Sequence, residues 1–355
     1  MEFAYVGSYT TKKRGGLGQG GISVFRRLSR EQKWEEIQIV SRMNPSFLTL
    51  GKKKHVLYTV QSDGECVAAY AINEQDGSLQ LLNERKIGFH NGVFLQTDQE
   101  DNFLVVSACS GGNDGGIVTI RLFEDGSLGD IAGIEIPTGE LGPLRAAQNA
   151  VKPHQTRFTP DYRYLVEIDK GTDSVNTYTM DDEGILSLRQ TLHVRPGSCP
   201  RHIAFHPNGK FAYLLTEWFG NVMACCYEDG IFMPLAIVPT LPPDFLGAKN
   251  SAAEIEVHPN GRFLYASNRE HSSIASFEIG LDGLLTPIGW CTEQIAKPRF
   301  FAISKDGTEL YVANEKGHNV TRYLIDPETG ELTYADADMI ASAPACIVFT
   351  ENKKN

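Results

Sequence analysis

Short apolar runs alternate with turn residues along the whole chain, and one stretch shows the pattern complete. Pro200-Arg201-His202-Ile203-Ala204-Phe205 is followed by His206-Pro207-Asn208-Gly209, then by Phe211-Ala212-Tyr213-Leu214-Leu215-Thr216-Glu217. Runs of this kind flanking Pro-Asn-Gly predict a β-hairpin, because Pro fixes its own φ and Asn-Gly tolerates φ > 0. Arg201 and Glu217 then share one end of the hairpin.

The hairpin recurs. Equivalent first strands start at Pro45, Gly92, Pro153, Ala253, Pro298 and Pro344, with spacings that include 47 (153 to 200) and 46 (298 to 344). Second strands follow at Val56-Leu57-Tyr58, Phe103-Leu104-Val105, Tyr164-Leu165-Val166, Phe263-Leu264-Tyr265 and Leu310-Tyr311-Val312. In three copies a Tyr lies 13 residues after the starting Pro: Tyr58, Tyr213 and Tyr311. Another strand pair follows each hairpin, as in Ile274-Ala275-Ser276-Phe277 before Asp282-Gly283-Leu284-Leu285. Four strands per unit and a period in the forties are the signature of a β-propeller. The last copy, Pro344–Phe349, has a first strand but no second, whereas the chain opens on Phe3-Ala4-Tyr5-Val6, a second strand without a first. Joining them completes a seventh blade and removes two exposed sheet edges. The expected fold is all-β: one seven-bladed β-propeller domain over 1–355, four antiparallel strands per blade, closed by the N- and C-terminal strands.

Composition narrows the function classes. The 355 residues are 41% hydrophobic and carry a net charge of −11. That charge argues against binding to nucleic acid or to an anionic membrane surface. No apolar run approaches the ~20 residues of a membrane helix. The first residues read as a strand rather than a secretory signal, and the seven scattered cysteines lack a CxxC pair. Both features point to a cytoplasmic protein with reduced thiols and without a thiolate metal site.

If the first strands line the channel, the position at or just after each start crowds one mouth: Ser46, Gly92, His154, Arg201, Ala253, Arg299 and Ala345. The ends of the second strands add Ser62, Lys170, Glu217, Arg269 and Glu315. Charged side chains in a channel are costly unless paired or used. Pairing is the bland explanation and fits Arg299 with Glu315, while His154, Arg201, Glu217 and Arg269 are expected to be free for chemistry. Arg suits carboxylate or phosphate through its planar fork. His154 and Glu217 are the two candidate general bases, and His202, His206 and His258 read as structural. Two long connections, about 129–152 and 233–252, are expected to open on the same face, as is the glycine-rich stretch 15–21. A Glu254, Glu217 and Asn268 cation site is a weak signal, so no metal or cofactor is expected.

The motifs resemble the seven-bladed propeller lactonase family, which holds bacterial 6-phosphogluconolactonase and the fungal carboxy-cis,cis-muconate cyclase. The resemblance rests on Tyr5-Val6-Gly7-Ser8-Tyr9-Thr10, Asn44-Pro45-Ser46-Phe47-Leu48, Pro200–Pro207, Asn250-Ser251-Ala252-Ala253-Glu254-Ile255, Ser267-Asn268-Arg269 and Pro298-Arg299-Phe300-Phe301. It implies catalytic roles for His154, Arg201, Glu217 and Arg269, and substrate contacts from Arg299, Asn250, Glu254 and Asn268. Many members carry a second His where this chain has Thr156, a departure that bears on any two-histidine mechanism but leaves the base role of His154 in place. The implied reaction is hydrolysis of a sugar-acid lactone, first of all 6-phospho-glucono-1,5-lactone, by a monomer or weak homodimer acting on a small anionic substrate. The competing readings are a muconolactone cycloisomerase and a non-catalytic sugar-phosphate sensor or scaffold.

Overall fold

The computed structural model describes residues 1–109, 114–247 and 250–351. Seven four-stranded antiparallel sheets form the blades of a β-propeller. Six are sequential meanders, such as Pro200–Phe205, Phe211–Thr216, Asn221–Glu228 and Ile231–Pro239 in the fifth blade. The remaining blade pairs the N-terminal strand Glu2–Ser8 with the C-terminal strand Pro344–Glu351, from Glu2↔Glu351 to Ser8↔Pro344. Each innermost strand packs against the next, and the strand at Pro344 packs against the one at Leu48. The ring is therefore closed by sequence-distant strands, as the cut repeat at the two ends predicts.

The periodic tyrosines join neighbouring blades. The Tyr5, Tyr58, Tyr213 and Tyr265 hydroxyls donate to the carbonyls of Gly77, Gly126, Gly283 and Gly330 in the next blade, at 3.0, 2.8, 3.2 and 2.9 Å. All four tyrosines are buried. The receiving glycine must be glycine: Gly283 has φ +80, and a Cβ there would sit 2.4 Å from the Phe211 ring. Tyr311 departs from the rule, donating to Glu309 and accepting from Arg27 across the blade boundary. His206 and His258 also bridge blades, each placing Nε2 2.8 Å from a glycine carbonyl (Gly261 and Gly307), in keeping with a structural role.

The entry to each inner strand aims side chains at the channel. Asn91, Cys199, Lys297 and Ala343, immediately before four of these strands, and Asn44, ahead of the strand at Leu48, have φ of 59, 50, 57, 39 and 45. A non-glycine residue there costs roughly 1–2 kcal/mol and is held by its surroundings. A bulge follows at once. Pairing skips from Pro153 to Gln155, Pro200 to His202, Pro298 to Phe300 and Gly92 to Phe94. The skipped residues are His154, Arg201, Arg299 and Val93. In the third blade the mouth position is thus Val93, one residue later than the Gly92 expected from the repeat.

Replacing Tyr213 by Phe leaves the Gly283 carbonyl buried without its donor. The expected loss is about 1–3 kcal/mol, read as a lower urea midpoint with unchanged far-ultraviolet circular dichroism.

Candidate active site

The inner strands stack their side chains in tiers. The upper tier holds Ser46, Val93, His154, Arg201, Arg299 and Ala345; the next holds Phe47, His202, Glu254 and Phe300. These ten residues line one small cavity in the channel.

Beside it lies an ion cluster drawn from three blades. Glu217 Oε2 accepts from Lys170 Nζ at 2.6 Å and Arg201 Nη1 at 3.2 Å; Oε1 accepts from Arg269 Nη2 at 2.9 Å and Ser251 Oγ at 3.2 Å. Arg201 also gives Nε to the Ala253 carbonyl, and Arg269 gives Nε to that of Ser251. The clamp leaves Arg201 Nη2 and Arg269 Nη1 outside these bonds. Three cations against one carboxylate leave two net positive charges.

This corrects the reading of Glu217 as a free base. Burial alone would raise its pKa, but Lys170, Arg269 and Arg201 together hold it well below the usual carboxylate range. With both oxygens saturated it has no lone pair positioned for water, and its task is to fix the arginines. Pairing therefore extends beyond Arg299–Glu315 (3.5 Å) to Arg201 and Arg269 as well. Burial and the neighbouring Arg269 lower the Arg201 pKa to about 10, which still leaves it charged at neutral pH.

His154 is buried, and its Nδ1 has no hydrogen-bond partner. Burial, then Arg201, His202 and Lys170, depress its pKa well below the ordinary value, so the ring is neutral at pH 7. Glu254 does not stand alone as a substrate contact: its Oε1 is 2.8 Å from His202 Nδ1 and accepts the Ile255 amide at 3.1 Å. Asn268 is fully buried and committed. Its Oδ1 accepts from Thr240 Oγ1 and Asn250 Nδ2, and its Nδ2 donates to the Thr240 carbonyl and Ser273 Oγ. It cannot reach a ligand and is a structural residue, matching Asn314 of the next blade, whose Nδ2 likewise bonds within its sheet. Asn250 packs against it, 9% exposed, with Oδ1 unpartnered.

The long connections are shorter than expected, because the outer strands continue to Glu135 and Pro239. Positions 248–249 of the second lie outside the described residues. Both touch the cluster: Gln148 Nε2 donates to the Lys170 carbonyl, and Ser251 bonds Glu217. Within the glycine-rich opening, a 3-10 turn at Lys12–Arg14 places Arg14 on Asp63 at 2.6 Å. A recess of about 350 Å³ opens there, lined by Tyr9, Lys13, Arg14, Lys297, Arg299 and Lys316, with Glu315 the acidic residue among its walls. Arg299 stands between this recess and the channel cavity, stacked 4.9 Å from the Tyr9 ring. Sequence reading missed the recess, because Lys13, Arg14, Lys297 and Lys316 lie outside the repeat positions. It also set His202 aside, although the residue following the mouth position is Phe47, Phe94 and Phe300 in three blades and the polar His202 and Glu254 in two others.

A family model described as a seven-bladed β-propeller lactonase matches residues 3–349. The chain belongs to that family. It is an enzyme of the lactonase class, a hydrolase of cyclic esters. A Bacillus subtilis relative named 6-phosphogluconolactonase is 32% identical over 351 residues, 97% of each chain. A Lactococcus lactis relative, equally 32% identical over 97% of this chain and 98% of its own, carries no functional name. A Bacteroides fragilis structure described provisionally as a 6-phosphogluconolactonase superposes with TM-score 0.88 at 29% identity, covering 99% of the lactonase and 98% of its own chain. No helix among the described residues is long and apolar enough to cross a membrane.

Glu217→Gln leaves the buried cations without their counter-charge, so a loss of about 3–5 kcal/mol is expected at pH 7. The folded pKa of Glu217 lies below its unfolded value near 4.5. Its contribution is thus present above that value and is lost as pH falls through the folded pKa. Urea midpoints should separate widely at pH 7 and converge in acid.

Proposed function

We propose that the channel mouth hydrolyses a phosphorylated sugar-acid lactone, with 6-phospho-glucono-1,5-lactone as the first substrate to test. The observation that carries this reading is the continuity of two cationic features in an otherwise acidic protein. The Arg201–Arg269 clamp flanks the cavity, and the Lys13, Arg14, Lys297, Arg299 and Lys316 recess adjoins it through Arg299. Five cations against two carboxylates, Glu315 and the Asp63 that pairs with Arg14, leave a net positive charge that suits a phosphate dianion. With the phosphate in the recess, the lactone ring lies towards the cavity. Arg201 and Arg269 then present fixed donors to the carbonyl oxygen as it becomes an oxyanion; preorganised charge of this kind stabilises a transition state without reorganisation.

The nucleophile is water, activated on the imidazole side of the cavity, where His154 lies. The names of the Bacillus and Bacteroides relatives support the same substrate. A cycloisomerase substrate would bring carboxylates but no phosphate, and would leave the recess without a function.

Purified protein should consume 6-phospho-glucono-1,5-lactone faster than buffer does, after subtraction of spontaneous hydrolysis, and should leave muconolactone unchanged. Arg201→Ala and Arg269→Ala should each lower kcat/KM roughly 10- to 100-fold, the worth of one charge-assisted hydrogen bond. Arg299→Ala should raise KM for the phosphorylated lactone and spare glucono-1,5-lactone. A wild-type rate equal to the buffer rate would sink the proposal.

A further inference from the structure

The lower tier of the channel contains an apolar floor with one polar exception. Phe47 packs on Phe94 at 4.5 Å and edge-on to Phe300 at 5.7 Å, and Phe94 faces His202 at 6.1 Å. Against these rings sit His202 and Glu254, 2% and 4% exposed. A His–carboxylate pair beside aromatic surface is costly unless it is used.

The pair and its neighbour His154 each leave one polar atom unpartnered. His202 Nε2, Glu254 Oε2 and His154 Nδ1 are all buried without a hydrogen-bond partner. Their three side chains line the same cavity, with the two rings 5.2 Å apart. The cavity has room for about one water molecule. Buried polar atoms are almost always satisfied, so three orphans on side chains that line one water-sized space mark a site.

The hydrogen bonding sets the tautomer. The Glu254 carboxylate accepts a hydrogen bond from the Nδ1–H of His202, which leaves a lone pair on Nε2. His154 has no such carboxylate, and Arg201 and Lys170 act against a positive charge on it. An imidazole oriented by a carboxylate is the general arrangement of an activating base.

We propose that His202, positioned by Glu254, is the general base of the lactonase, and that His154 holds the hydrolytic water against it. The proposal rests on the lactone-hydrolysis reading above and names the proton acceptor within it. The water in the cavity gives one proton to His202 Nε2 as its oxygen bonds to the lactone carbonyl carbon. The carbonyl π electrons move to oxygen, beside Arg201 and Arg269. When the oxyanion collapses, the ring carbon–oxygen bond breaks and the proton on Nε2 passes to the departing alkoxide. The product is the open hydroxy acid, and the imidazole is restored. His202 touches the reacting water and is catalytic; Glu254 acts through it and is a positioning residue.

The test combines kinetics with a readout on the resting protein. His202→Asn keeps a donor for Glu254 but has no basic lone pair; kcat should fall about 10²- to 10⁴-fold with KM nearly unchanged. Glu254→Gln removes the charge that favours imidazolium, so the acid limb of the kcat profile should move to lower pH, with a reduced plateau. A merely structural Glu254 would lower the plateau and leave the limb in place, and Glu254→Asp should restore part of the rate. Nitrogen-15 NMR of histidine-labelled wild type should show His202 protonated on Nδ1 and bare on Nε2. That measurement stands even where a variant fails to fold. A bare Nδ1, or a folded His202→Asn variant within threefold of wild-type kcat, would overturn the assignment. If wild type itself hydrolyses no lactone, the lactonase reading fails, whereas an active wild type with an indifferent His202 refutes the dyad alone.

Discussion

A carboxylate and three cations share a largely buried space, and the functional mouth depends on that arrangement. Glu217 is buried with Lys170, Arg201 and Arg269 around it, each from a position that the ring brings together. Lys170 comes from the fourth blade, Arg201 and Glu217 from the fifth, and Arg269 from the sixth. Uncompensated, any one of these charges would be expelled or neutralised. Together they leave a fixed positive field, which is what a developing oxyanion or a phosphate requires. Glu217 is thus less a reagent than the counter-ion that allows two guanidinium groups to be held rigid and aimed.

The propeller makes this possible through a local distortion repeated around the ring. A bulge begins inner strands around the ring, preceded by a left-handed residue at Asn91, Cys199 and Lys297, and the bulged side chain turns into the channel. Small residues occupy that place in some blades (Ser46, Ala345), while His154, Arg201 and Arg299 fill it elsewhere. The Tyr-to-glycine hydrogen bonds near the other end of the blades are independent of these positions. Packing and chemistry are thus assigned to different rows of the same repeat, so charge can be varied in the mouth without loosening the joints between blades.

Much of this was legible in the chain because both rows are periodic. Seven hairpins, the cut blade and the spaced tyrosines follow from residue type and spacing, and so do His154, Arg201, Glu217 and Arg269 as a shared rim. What sequence could not resolve was pairing. Glu217 read as a base because its partners, Lys170 and Arg269, come from other blades, 47 and 52 residues away along the chain. Asn268 read as a ligand contact because its motif neighbours Arg269, yet an alternating strand sends adjacent side chains to opposite faces. His202 was dismissed for the same reason in reverse: the bulge at Arg201 breaks the alternation, and both residues line the cavity. The recess beside Arg299 uses non-repeat residues and has no periodic signal.

The environment of each channel group then divides the labour between them. His154 sits among Arg201, Lys170 and a second imidazole, so a proton on it is repelled from several directions. His202 is also disfavoured as a cation by burial, but Glu254 opposes that effect through both charge and hydrogen bond. Two neighbouring imidazoles thereby differ in proton affinity because one is hydrogen-bonded to a carboxylate and the other is not. The pair separates binding from proton transfer, since burial and Arg201, which faces the anion, also keep His154 neutral. The aromatic floor of Phe47, Phe94 and Phe300 gives no hydrogen-bonding competitor for the water. A water molecule lodged there meets a lone pair on one side and the substrate carbonyl on the other, and its approach is set by the ring rather than by solvent.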